Sequence, residues 1–101
     1  MTRETDAILI VFANDLEALL VGRVSSDAFE AKYGSADRMP DIDVIMGSVY
    51  HFLSDADIRA RDAQYREMQE AEMRRLIAHL RAGRLKAARR ISFLGPTDDP
   101  R

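Results

Sequence analysis

Apolar residues recur at spacings of three and four along most of the chain, most clearly over residues 62–83. There Tyr65, Gln69, Met73, Leu76, Ile77 and Leu80 share one face of a helix, and Glu67, Glu70, Glu72, Arg74, Arg75 and Arg81 fill the other. Asp62 is a natural N-cap, and Gly83 is placed to end the helix in the left-handed conformation. Acids crowd the first turns and bases the last, as the helix dipole favours. A lone amphipathic helix does not stay folded in water, so the other apolar segments must pack on this face.

Those segments read in order. Residues 5–21 form a first helix, capped by Thr5 or Asp6, with a stripe of Ile8, Leu9, Phe12, Leu16, Leu19 and Leu20 that Ile10 and Val11 widen. A short strand is the rival reading for these β-branched residues; Asn14, Asp15 and Glu17 favour helix, and Gly22 ends the element. Ser25 caps a second helix, Ser26–Tyr33, with Val24 and Phe29 at the spacing of a hydrophobic staple. Phe29 and Tyr33 share a face and plug one end of the core, and Gly34 stops the helix. Residues 34–40 are a loop by composition, and Pro40 opens a third helix running to about Leu53. Ile42, Ile45, Met46, Val49, Phe52 and Leu53 are its buried stripe, and Gly47 among them is a candidate for close helix approach. Residues 54–61 are a linker with a short turn holding Ile58. Beyond Gly83, Leu85, Ala88 and Ile91 continue a basic amphipathic segment, and the end from Gly95-Pro96 onward frays. The reading is an all-α fold, an antiparallel bundle of about four helices, with one domain over 1–94 and a frayed tail over 95–101.

At 101 residues the chain fits one domain. It has no cysteine, which excludes disulfides and thiolate metal sites and suits a reducing cytoplasm. No apolar run approaches the ~20 residues of a membrane span, and the run at 7–13 reads as a buried first helix rather than a signal-peptide core. No membrane association is expected. Charge is uneven. Residues 1–73 carry 7 basic and 15 acidic side chains, a net −8, whereas residues 74–101 carry 8 basic and 2 acidic, a net +6. An acidic body opposes nucleic acid and attracts basic protein partners.

Candidate chemistry is sparse. His51 precedes Asp55 by one turn, but no third ligand has the right spacing and His79 lies on another helix. Asp55 and Asp57 resemble the start of a calcium loop, yet its sixth and twelfth positions hold Ala60 and Arg66 in place of glycine and glutamate. No serine has a nucleophile-elbow context. Catalytic, cofactor and metal residues are therefore assigned to none, and an enzyme is not expected. The bases Arg74, Arg75, Arg81, Arg84, Lys86, Arg89 and Arg90 offer a nucleic-acid alternative, weakened by the acidic body and the lack of interleaved aromatics. The acids Asp43, Asp55, Asp57, Asp62, Glu67, Glu70 and Glu72, diluted by Arg59, Arg61 and Arg66, offer a docking surface for a basic partner.

The helix end at Gly22-Arg23 followed by the helix start Val24-Ser25-Ser26-Asp27-Ala28-Phe29 resembles the opening of small all-helical immunity proteins. These are the colicin D-type immunity proteins and those of contact-dependent inhibition systems. The likeness covers residues 16–80 in outline and 16–29 in wording. It implies a four-helix bundle that binds a nuclease toxin and covers its active site with acidic residues. The expectation is thus a bacterial, non-catalytic protein-binding domain that neutralises a toxin or other basic partner. Its partner-binding residues are Asp43, Asp55, Asp57, Asp62, Glu67 and Glu70. The alternatives are a small self-associating regulator or subunit, forming a homo-oligomer, and nucleic-acid binding through the basic end.

Overall fold

Asp62 takes an extended conformation (φ −127°, ψ 104°), and its carboxylate accepts from the Tyr65 amide at 3.1 Å. That cap satisfies one of the amides a helix start leaves unpaired, and the longest helix begins there. A computed structural model describes residues 3–34 and 40–93, without the side chains of residues 3–6 and 41. It is all-helical, with α1 (Arg3–Leu20), α2 (Ser26–Tyr33), α3 (Pro40–Ser54), α4 (Ala56–Arg61), α5 (Ala63–Arg81) and α6 (Leu85–Arg89). The fold is a compact globule with a radius of gyration of 13.3 Å. The tail expected to fray, 95–101, and most of the 34–40 loop lie outside the described residues.

Two glycines end helices in the same way. At Gly22 (φ 82°), its amide bonds the Leu19 carbonyl and the Arg23 amide bonds the Ala18 carbonyl. At Gly83 (φ 75°), the pairs are Gly83 to Leu80 and Arg84 to His79. Both are Schellman closures, which require a residue tolerant of positive φ. Ser25 caps α2 by accepting from the Ala28 amide at 3.1 Å.

α5 is the centre of the fold, packing on α1, α4 and α6, and α3 packs on α4 and α6. Its expected face is inside: Gln69, Met73, Leu76, Ile77 and Leu80 are buried and Tyr65 is half-buried. Phe12, Phe29 and Tyr33 close one end as an aromatic trio, with ring centroids 4.9–6.4 Å apart. A second aromatic pair lies in the same core: Phe93 is 1% exposed and tilts on Phe52 at 5.4 Å.

Three expectations change, and the favoured helix for α1 holds. Six helices stand among the described residues where about four were expected. Within the expected linker, Ala56–Arg61 is the helix α4, separated from α5 by the extended Asp62, and α6 follows the turn at Gly83. The strand alternative for α1 does not occur. Ile8, Ile10 and Val11 are 45%, 44% and 47% exposed. α1 buries Leu9, Phe12, Ala13 and Leu16, and its apolar surface is wider than the side the core covers. Gly47 mediates no close approach, since a Cβ built there meets nothing within 4 Å.

Candidate interaction surfaces

A buried amide organises the α4–α5 junction. Gln69 is 0% exposed, and a buried amide must be fully bonded. One Nε2 hydrogen goes to the Phe93 carbonyl at 3.0 Å, and the other is shared between Asp55 Oδ2 at 2.9 Å and Tyr65 OH at 3.1 Å. Its Oε1 accepts from Arg59 Nη1 at 2.6 Å, and the same nitrogen donates to the Phe52 carbonyl. Tyr65 OH donates to Asp55 Oδ2 at 2.6 Å. The Arg59 guanidinium lies 3.7 Å from the centroid of the Phe52 ring. Burial pushes the Arg59 pKa below its ordinary value, while the negative charges of Asp55 and Glu70 work against that. Gln69 thus stands between the half-buried Arg59 guanidinium and the Asp55 carboxylate, and the network joins α3, α4, α5 and the segment at Phe93.

The six expected docking acids do not form one patch. Asp55 faces inward, its Oδ2 held by Tyr65 and Gln69. Asp62 is exposed but spent as the α5 cap. Glu70 is half-buried and lies 3.9 Å from Arg74. Asp57 and Glu67 are exposed and unpaired among the described residues. Asp43 is exposed on the first turns of α3, and eleven residues of helix, about 16 Å, separate it from Ser54. The acids left exposed along α4 and the first turns of α5 are therefore Asp57, Asp62 and Glu67, with Arg61 and Arg66 exposed on the same stretch of chain.

Sequence reasoning missed the outward side of α1. Ala7, Ile8, Val11 and Tyr33 line an apolar depression of ≈ 230 Å³. Next to it, Asp15 accepts from Tyr33 OH and pairs with Lys32 at 2.9 Å. Burial, and then Asp15, push the Tyr33 hydroxyl above the ordinary tyrosine range. The signal was present in the unbroken apolar run at 7–13, too wide for one buried side of a helix.

His51 is exposed, and its ring makes no bond to Asp55, whose partners are Tyr65 and Gln69. His79 accepts at Nδ1 from Arg84 Nε at 3.0 Å. Partial burial, Arg84 and Arg75 hold its pKa below the ordinary value. At the basic end, Lys86, Arg89 and Arg90 rim an open concavity of ≈ 290 Å³. Among the described residues, no three His, Cys, Asp or Glu side chains could hold a metal ion. None of the described helices is long and apolar enough to cross a membrane. No protein-family model, curated protein or solved structure matches this chain.

Proposed function

We propose that the chain is a non-catalytic, cytoplasmic protein-binding domain, an antiparallel bundle of immunity type that neutralises a basic partner such as a nuclease toxin. The exposed acidic edge at the α4–α5 junction carries the reading. There the exposed acids Asp57, Asp62 and Glu67 stand against the exposed bases Arg61 and Arg66, a surplus of one negative charge. Asp57 and Glu67 have no internal partner among the described residues, so a cation arriving there displaces no existing pair. The Gln69 network fastens α4 to α5, so these carboxylates sit on ordered helices and less freedom is lost on binding. Opposite charge on the two surfaces speeds their encounter.

The test compares immobilised wild type with an Asp57→Lys/Glu67→Lys variant, each exposed to lysate of the source cell. The expected result is a basic protein retained by the wild type, released by salt and absent from the variant. Equal retention by both proteins, or no basic protein at all, rejects the acidic-edge mechanism.

A second reading, self-association, is favoured by the exposed Ile8, Ile10 and Val11 on α1. Sedimentation velocity at rising concentration distinguishes it: a dimer lost on Val11→Asp supports it, and a monomer throughout removes it.

A further inference from the structure

A groove separate from the acidic edge runs between the C-terminal end of α1 and the second half of α5, with a volume of ≈ 330 Å³. Its floor is apolar, made of Leu20, Val21, Ile77 and Ala78. Val21 is 55% exposed, so the floor is only partly covered by the protein itself. The rim is charged, with Glu17, Arg74 and Arg81.

The rim charges are not equivalent. Arg81 Nη2 donates to Glu17 Oε1 at 2.6 Å and to Asn14 Oδ1 at 2.8 Å. That bond and the charge of Arg81 hold the Glu17 carboxyl below its ordinary range, with Arg23 adding to the effect. Glu17 is therefore already neutralised. Arg74 differs: its ion pair, with Glu70, is long at 3.9 Å, and its side chain is 65% exposed. A contact that loose leaves most of the guanidinium's five donors available. Among the charged residues lining the groove, Arg74 and Arg81 stand against Glu17 alone, a surplus of one positive charge.

An apolar trough of this size, within the range of ligand sites, beside one available guanidinium calls for a ligand with an apolar body and one negative charge. A guanidinium fork matches the two oxygens of a carboxylate in plane, which favours that group over an alcohol or an amine. We propose that this groove binds a small amphiphilic carboxylate of medium chain length, its alkyl chain on Leu20, Val21 and Ile77 and its carboxylate on Arg74. The site uses neither Asp57 nor Glu67 and stands apart from the protein-binding reading.

The test is a methyl NMR titration of the full chain with octanoate, with octanol and octylammonium as controls. Saturable shifts confined to Leu20, Val21 and Ile77 are expected, with a Kd of about 1 mM or tighter. Octanol and octylammonium should bind at least about tenfold more weakly, and Arg74→Gln should weaken octanoate about tenfold. Arg74 is exposed, so the variant keeps its fold, which the rest of the spectrum verifies. Shifts that do not saturate, equal binding of octanol, indifference to Arg74→Gln, or shifts centred on Ile8 and Val11 would each overturn the proposal.

Discussion

The side-chain amide of Gln69 donates to the main-chain carbonyl of Phe93 at 3.0 Å, joining the middle of α5 to a point 24 residues on. Both residues are buried. Gln69→Leu keeps the volume but leaves the Phe93 carbonyl, Asp55 and Arg59 each short of a partner. Unsatisfied buried groups cost about 1–3 kcal/mol each, and relaxation recovers part. We expect a net loss of about 3 kcal/mol, comparable with Leu76→Ala. Urea unfolding measures it, and a change within about 0.5 kcal/mol would show that the network is not a stabilising unit.

The glycines predict opposite signs. A Cβ at Gly47 meets nothing within 4 Å, and the residue lies inside α3. Gly47→Ala should therefore stabilise the fold by about 0.5–1 kcal/mol through the unfolded chain's entropy. Gly83 holds φ 75°, where an L side chain is strained by about 1–2 kcal/mol, so Gly83→Ala should destabilise by a similar amount. Melting temperatures that move in the same direction would contradict this assignment of backbone roles.

Tyr33 sets an alkaline dependence. Burial and the Asp15 carboxylate raise its folded pKa above the unfolded value, which is about 10. The unfolded chain then releases this proton first. The contribution is fully present below pH about 10 and is lost as pH rises beyond it. Unfolding midpoints at pH about 8 and about 10.5 should differ more for wild type than for Tyr33→Phe. The variant also starts lower, because it lacks the bond to Asp15. Parallel slopes would remove Tyr33 as the titrating group.

The starts of α2 and α5 and the ends of α1 and α5 were legible because their causes are local, whereas α1 begins at Arg3, ahead of the expected cap at Thr5 or Asp6. Ser25, Asp62, Gly22 and Gly83 act within four residues of themselves, and each sits where its type foretold. The inner face of α5 was legible from its period. The direction of Asp55 was not, because its partners, Tyr65 and Gln69, lie 10 and 14 residues away across a turn. The exposure of Ile8, Ile10 and Val11 was hidden for a related reason: an apolar residue does not disclose how many sides of its helix are covered. Phe93 follows a helix of 5 residues, too short to carry a period that would place it.

The acidic edge can be tested by charge reversal. Asp57 and Glu67 are the residues to reverse, because both are exposed and neither holds the fold. Asp62 is unsuitable: it caps α5, and its loss costs about 1 kcal/mol of helix stability whatever it does at an interface. Asp55 is unsuitable too, since replacing it would unpair Tyr65 and Gln69. Asp57→Lys with Glu67→Lys changes the edge by four charge units while leaving every described internal bond in place. Circular dichroism should therefore match wild type, and the melting temperature should fall only slightly, because Asp57→Lys reverses a charge the first turn of α4 favours. Against a basic partner, reversal of rim charges acts first on association, and the wild-type rate should fall steeply as salt is raised to about 150 mM, where screening acts over about 8 Å. The variant should associate at least about tenfold more slowly and show little salt dependence. Stopped-flow or surface-plasmon measurements read both quantities. If the partner's association ignores both the reversals and the salt, its contact lies elsewhere, and the outward face of α1 becomes the surface to mutate next.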